Sequence, residues 1–139
     1  MAAAWEHFEH EADVGVRGIG ATPAQAFEQA ALAMTAVITD PATVTLRERV
    51  EIRCENDDFE LLLADWLNAL VFEMATRHLL FGEFAVKLEG ATLTGVARGE
   101  RVDVHRHRPA VEVKGATLTE LKVARRADGN WIAQCVVDV

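Results

Sequence analysis

The chain has 139 residues, of which 50% are hydrophobic and 26% are charged, so its composition is that of one globular domain and excludes a disordered protein. Its 14 Lys and Arg residues stand against 22 Asp and Glu residues, and the formal net charge of -8 disfavours independent binding to RNA or DNA, which depends on cations that neutralise phosphates. Because no apolar run approaches the roughly 18 residues of a membrane span and no secretory signal is present, we expect a cytoplasmic protein whose partners are cations or a basic protein surface.

The first predicted elements are a strand and a helix. Alternating residues indicate a strand over 14–17, and Gly18-Ile19-Gly20 is expected to end it. Thr22 is a good helix N-cap, and Gln25 stands at the capping-box spacing from it. An apolar face then recurs at helical spacing until Asp40-Pro41, where the residue before proline disfavours the helical region.

A second strand and a second helix follow. The alternation over 43–54 predicts a strand with one face toward the core. Asp57 is the expected N-cap of the next helix, with Glu60 at its capping-box position. From Phe59 to Met74 a continuous apolar stripe predicts a long, buried helix.

The rest of the chain is predicted to be strands. They are expected at 84–88, 93–97, 111–113, 121–125 and 131–137. Gly90 marks one turn, and Asp128-Gly129 is a strong hairpin signal before the last strand. This order predicts one α+β domain, 1–139, with two helices packed on a mostly antiparallel or mixed sheet.

The two cysteines are Cys54 and Cys135, which lie far apart in the sequence and form no CxxC motif. In a protein expected to be cytoplasmic, this pattern favours reduced, buried thiols over a disulfide or a metal site.

Two acidic segments are candidates for chemistry. Imidazoles and carboxylates are dense over 7–15, which suits either a metal or proton-transfer site or a solvated edge with local hydrogen bonds. At the other end of the chain, Asp138 stands one residue before the terminal carboxylate. Two charges fixed about 4 Å apart repel by about 4 kcal/mol at an effective dielectric of 20. A hard cation would reverse that repulsion, whereas a frayed, hydrated end would screen it.

Other candidate motifs are weaker. His105 and His107 would point to one side of a strand, but a pair is half a zinc site and Arg106 opposes a cation, so a surface strand or loop is expected. Lys114 precedes a glycine without the frame of a P-loop. The sequence contains no serine, which excludes a Ser-His-Asp triad.

Residues 8–16, FEHEADVGV, resemble the opening motif of the archease family, usually F-x-H-T-A-D-I-G. Further segments resemble later blocks of the same family: 26–34, 58–70, 99–107, 112–121 and 131–139. The resemblance spans essentially the whole chain and implies a small α+β domain.

The resemblance also implies a function. Archeases are accessory proteins, not enzymes, that assist the tRNA-splicing RNA ligase joining 2′,3′-cyclic or 3′-phosphate ends to 5′-hydroxyl ends. They promote its guanylylation by GTP and its multiple turnover. By this resemblance the metal ligands are Asp13, Asp138 and the carboxylate of Val139, and Lys114 serves ligase activation. Three carboxylates suit calcium best, with magnesium or manganese as alternatives. The ligase is the expected partner, without direct binding to nucleic acid or membrane.

Several points stay open at this stage. Glu11 stands where the family commonly has Thr, and Thr119 stands where it commonly has His. Two other functions compete with ligase activation: a chaperone-like module acting through a sheet face, and a metal-dependent hydrolase using His10, Glu11 and Asp13 around a metal-bound water. The sequence leaves open the cation, the oligomeric state and the RNA that the partner ligase serves.

Overall fold

Eight strands and three helices are formed by residues 3–139, the part of the chain described by the computed structural model. In chain order they are β1 (Ala4–His10), β2 (Asp13–Gly20), α1 (Pro23–Ile38), β3 (Glu48–Glu55), α2 (Phe59–Arg77), β4 (Leu79–Glu89), β5 (Thr92–Arg101), α3 (Val104–His107), β6 (Gly115–Ala116), β7 (Lys122–Arg125) and β8 (Trp131–Asp138). Within this part of the chain, every helix is too short or too polar to cross a bilayer.

The strands form two antiparallel sheets. A five-stranded sheet has the order β1-β2-β8-β6, with β7 also paired to β8, and a three-stranded sheet has the order β3-β5-β4. The predicted α+β class is confirmed, but the strands form two sheets where one was expected, and the long helices contact strands of both.

Both long helices lie between the sheets. α1 packs on β2 at Gly18, where a Cβ atom would collide with the backbone oxygen of Ala26, so a glycine is required for this close approach. α2 packs on β5 at Gly95, beneath the ring of Trp66. The indole Nε1 of Trp66 donates a hydrogen bond of 3.2 Å to the carbonyl oxygen of Phe27, which joins the two helices inside the core.

The helix caps are partly as predicted. Thr22 caps α1, and its hydroxyl accepts a hydrogen bond of 3.2 Å from the backbone N–H of Gln25. The predicted cap of α2 is wrong by one residue, since Asp58 and not Asp57 caps it, accepting from the backbone N–H of Glu60 at 2.8 Å. Asp57 lies in the turn before the cap, where it is exposed.

Two predicted strand boundaries are wrong. Gly18-Ile19-Gly20 does not end β2 but continues it, because these residues pair with β8 while leaving room for α1. The strand predicted from residue 43 begins only at Glu48, since a 3-10 turn at Pro41–Thr43 occupies its expected start.

The strand predicted at 111–113 is absent from the crossover that leads from β5 to β6. Val113 is buried, so its apolar character reflects a loop side chain that packs on the core. The crossover instead bonds to the end of α1, where the N–H of Ala110 donates to the carbonyl of Ile38 at 2.8 Å. By contrast, both predicted hairpins are confirmed: Gly90 adopts φ 59 between β4 and β5, and Gly129 adopts φ 89 between β7 and β8.

Candidate functional site

One end of the five-stranded sheet brings together residues from the two ends of the chain. Val14 on β2 pairs with Val137 on β8, so β2 begins at Asp13 where the antiparallel β8 ends at Asp138. Side chains at facing positions on antiparallel neighbours share a face, with Cβ atoms about 4.5–5.5 Å apart. The two aspartates therefore lie on neighbouring strands at the same end of the sheet, each one position beyond the Val14–Val137 pair, and Val139 follows Asp138 directly. These three residues are called the acidic edge below.

Lys114 lies beside the acidic edge. Its backbone N–H donates a hydrogen bond of 2.8 Å to the carbonyl oxygen of Asp138, and Gly115 is paired with Asp138 in the sheet. Asn68 on α2 fixes the next residue, Ala116, by accepting from its N–H at 2.9 Å and donating to its carbonyl oxygen at 3.2 Å. All four residues that the sequence singled out as site residues are thus at one end of this sheet.

The acidic edge carries negative charge that no ion pair neutralises in the described part of the chain, residues 3–139. Asp138 is exposed, whereas Asp13 and Val139 are half-buried. Neither aspartate forms an ion pair within residues 3–139. In the same range no three His, Cys, Asp or Glu side chains are placed to hold a metal ion. A cation here would therefore need the α-carboxylate of Val139 as well as the two side chains.

The residues of the hydrolase hypothesis are neighbours but form no such metal-holding group within the described part of the chain. His10 pairs with Asp13 across the hairpin that joins β1 to β2. Glu11 is at its turn with φ 52, a left-handed conformation that is uncommon for a residue with a side chain. The other imidazole of the segment, His7, contacts the carbonyl oxygen of Ala33 on α1 through its Nε2 at 2.7 Å, so it fastens β1 to the helix.

A second charged cluster lies around Glu100 at the end of β5, and sequence reasoning gave it no role of its own. Glu100 is 4% exposed. Its carboxylate accepts from Nη2 of Arg106 at 2.6 Å, from the N–H of Thr45 at 2.6 Å and from Nε2 of His107 at 3.0 Å. The guanidinium of Arg106 holds the pKa of Glu100 well below its ordinary value, with further lowering by Thr45 and His107, despite the opposing effect of burial.

His107 corrects the prediction for this segment. The surface strand or loop expected there is a one-turn helix, α3, because Asp103 caps it and accepts from the N–H of His105 at 3.1 Å. His107 is buried while His105 is exposed. The Nδ1 atom of His107 accepts the N–H of Asp103 at 2.8 Å, so Nε2 carries the proton donated to Glu100. The sequence signal that could have predicted this helix is Asp103, a good N-cap residue that stands between Glu100 and His107.

The cysteines are both free, as predicted, but the expected burial holds only for Cys135. Cys135 is buried in β8, and burial raises the pKa of its thiol to about 12. Cys54 is half-buried in β3, where burial and then the charge of Asp65 raise its pKa. Both thiols are therefore poor nucleophiles near neutral pH.

Comparison with known proteins gives one consistent result. The model of the Archease protein family matches residues 5–139. Among curated relatives, protein archease of Pyrococcus furiosus is 40% identical over 97% of this chain and 98% of its own, and that of Methanopyrus kandleri is 42% identical over 97% and 99%. The solution structure of protein 1598 of Methanobacterium thermoautotrophicum superposes with a TM-score of 0.86 at 34% identity, covering 98% of this chain and 99% of that one.

Proposed function

The chain belongs to the archease family, whose members are accessory proteins rather than enzymes, and we propose that it activates a tRNA-splicing RNA ligase. Activation means promoting guanylylation of the ligase by GTP and hence its multiple turnover. The observation that carries the proposal is the acidic edge, which gathers Asp13, Asp138 and Val139 beside Lys114 from distant parts of the sequence.

The donor set of the acidic edge fits a hard divalent cation. All three donors are carboxylates, and the two aspartates lack ion-pair partners within residues 3–139, so their mutual repulsion is relieved by a bound cation. Calcium is favoured because it accepts flexible oxygen coordination, with magnesium or manganese as alternatives. When bound, the cation supplies a concentrated positive charge for oxygen ligands of the partner. Asp13, Asp138 and the Val139 carboxylate would hold it at the tip of the sheet.

Lys114 is suited to a different contact. Its side chain is exposed, while its backbone is fixed by the bond to Asp138 and, through Ala116, by Asn68. An ammonium group held in this way offers a positioned cation to a phosphate or a carboxylate of the partner complex. The net charge of -8 favours docking on the basic surface of a protein that handles RNA, without independent binding of the RNA.

The direct test is multiple-turnover ligation by the ligase of the same organism, with and without this protein. We expect Asp13→Asn and Asp138→Asn each to abolish activation and calcium binding, measured by calorimetry, while circular dichroism stays unchanged. The matched control is Asp57→Asn, which removes the same charge from an exposed turn outside the acidic edge. Activation that persists in both edge variants, or ligase turnover that the wild type does not change, rejects the proposal.

Extending the chain beyond Val139 tests the third ligand. Added residues convert its carboxylate into a peptide carbonyl, so cation binding and activation should fall far more than the melting temperature. The chaperone-like alternative predicts something else, namely suppression of aggregation of unrelated proteins that is insensitive to Asp13→Asn and Asp138→Asn.

A further inference from the structure

A cleft of about 320 Å³ opens on one face of the five-stranded sheet. Gly18 on β2 faces α1, and successive residues of a strand point to opposite faces, so Arg17 and the cleft that it lines lie on the face turned away from α1. The cleft is lined by three basic side chains, one carboxylate, one amide and one apolar side chain: Arg17, Lys122, Arg126, Glu120, Gln134 and Ile132. Its lining therefore has a net charge of +2 in a chain whose net charge is -8.

Three of these side chains form a row across neighbouring strands. Arg17 on β2 is paired with Gln134 on β8, and Gln134 is paired with Lys122 on β7. Paired residues share a face, and neighbouring strands lie about 4.8 Å apart, so the two cations flank the amide with their Cα atoms roughly 10 Å apart. At that separation two long basic side chains can converge on one small anion bound over Gln134.

The guanidinium of Arg17 is held in place from three sides. Its Nε donates to Oε1 of Gln134 at 2.8 Å, its Nη1 donates to Oε1 of Glu6 at 2.7 Å, and its Cζ lies 4.7 Å from the centroid of the Phe8 ring. Glu6 offsets part of the charge from outside the cleft. Within residues 3–139, Nη2 has no hydrogen-bond partner. An arginine fixed in this way can bind a further acceptor without the entropic cost of ordering a mobile side chain.

Gln134 joins the two sides of the cleft. It is 6% exposed, and its Nε2 donates to the carbonyl oxygen of Glu120 at 3.1 Å. Glu120 adopts φ 55, so this bond fixes a turn that is uncommon for a residue with a side chain. A primary amide has two N–H donors, and the second one has no acceptor in the described part of the chain. Buried donors are normally satisfied, so water or a ligand oxygen is required here.

The other two cations of the lining are not neutralised by the protein. Lys122 and Arg126 are exposed and form no ion pair within residues 3–139, not even with Glu120. A phosphate group carries a charge of about -1.5 to -2 near neutral pH and three strong acceptor oxygens. It therefore matches both the charge of the lining and donors that come from three different side chains, whereas a carboxylate offers two oxygens and a single charge.

We propose that this cleft binds the phosphate group of a small molecule, with Arg17 and Lys122 on either side of it and Arg126 at the turn. The source is inorganic phosphate or pyrophosphate, or the phosphates of a nucleotide, because the net charge of -8 disfavours a long polyanion. The site does not depend on the proposed function. Asp138 of the acidic edge lies four residues beyond Gln134 on β8, which is about 13 Å along a strand.

Isothermal titration calorimetry of the full chain with inorganic pyrophosphate and with GTP tests the site. Both titrations contain EDTA, so that no divalent cation can bridge a phosphate to the acidic edge. Arg126→Gln should raise the Kd of pyrophosphate about tenfold. Arg125→Gln is the matched control, since it removes the same charge from the same hairpin but from a residue outside the cleft lining, and its Kd should stay near that of the wild type. Glu120→Gln removes the carboxylate of the lining and should lower the Kd.

Several outcomes overturn the proposal. One is the absence of saturable pyrophosphate binding by the wild type in the millimolar range, and another is an equal Kd for Arg126→Gln and Arg125→Gln, which would mean that only net charge matters. Lys122→Gln changes an exposed side chain on β7, and an unchanged Kd would show that β2 and β7 do not converge on one anion. The two ligands distinguish the sources. Equal Kd values for pyrophosphate and GTP indicate that the phosphate alone is bound, whereas tighter binding of GTP indicates a nucleotide.

Discussion

Two groups of carboxylates in this molecule differ in what surrounds them. At the tip of the five-stranded sheet, Asp13 and Asp138 lie on neighbouring strands without an ion-pair partner in the described chain, and Asp138 is exposed. At the end of β5, Glu100 is buried and accepts from Arg106, His107 and a backbone N–H. Satisfied charges of this kind hold a fold together, whereas unpaired like charges gathered at one place repel one another and cost free energy.

The residues around Glu100 also connect the crossover to other parts of the chain. Arg106 donates to the carbonyl oxygen of Thr43 at 3.0 Å, and the hydroxyl of Thr39 donates to the carbonyl oxygen of His107 at 2.5 Å. The cluster therefore fastens the crossover to the end of α1 and to the 3-10 turn. Because the same crossover continues to Lys114, this structural cluster supports the position of a proposed functional residue.

The largest expected difference between the two groups of carboxylates is in how much each contributes to the stability of the fold. Glu100→Gln removes the negative charge that Arg106 and His107 face, and we expect the melting temperature to fall by roughly 5–10 °C. Asp138→Asn removes a charge that has no partner in the described chain and that repels Asp13, so its melting temperature should equal or exceed that of the wild type. Differential scanning calorimetry on both variants measures the comparison. If the two variants melt together, the distinction between a structural and a functional carboxylate fails.

A smaller effect is expected from acid. The folded pKa of Glu100 is lowered from 4.5, so its stabilisation is complete above that value and is lost as pH falls through the folded pKa. Urea unfolding from pH 7 to pH 3 should therefore show the stability gap between wild type and Glu100→Gln narrowing below pH 4.5. The pKa of Asp128 is also lowered, first by the N–H of Asn130. Because Asp128 is present in both the wild type and the Glu100→Gln variant, its contribution cancels from the stability difference between them. A constant gap over this range would show that the ionised carboxylate is not what stabilises the cluster.

The sequence predicts this fold best where the signals are local. Thr22 caps its helix, and Asp128-Gly129 closes its hairpin, because capping and turn geometry depend on a few adjacent residues. Prediction fails where tertiary packing decides. Gly18 continues a strand because α1 lies against it, and the apolar residues at 111–113 pack as a loop on the core. His107 is buried in a helical turn, whereas the alternation of His105, Arg106 and His107 suggested a surface strand or loop.

The acidic edge illustrates the same limit at long range. Composition and spacing present Asp13 and Asp138 as two unrelated acidic segments, and nothing local indicates that they meet. Resemblance to a family supplied the pairing, and the register of β2 against β8 supplies the geometry. Glu100 and His107 are seven positions apart, so their contact was within reach of local reasoning once Asp103 is taken as a helix cap.

The smallest predicted effect concerns the turn beside the acidic edge. Glu11 adopts φ 52, which strains a residue with an ordinary side chain, and asparagine tolerates this conformation better. Glu11→Asn should therefore raise the free energy of unfolding by about 0.5–1 kcal/mol, measured by urea denaturation. Glu11→Gln is the matched control, since it removes the same charge and keeps the strain.

Comparing Glu11→Asn with Glu11→Gln separates the effect of backbone strain on stability from the effect of charge repulsion at the acidic edge. If Glu11→Gln stabilises the protein as much as Glu11→Asn, the gain comes from removing a charge near Asp13, and the conformational explanation is wrong. Repeating both measurements with calcium sharpens the comparison. The proposed cation at Asp13 and Asp138 would attenuate repulsion at the edge, so any gain from charge removal should shrink, whereas the gain from relieved strain should not change.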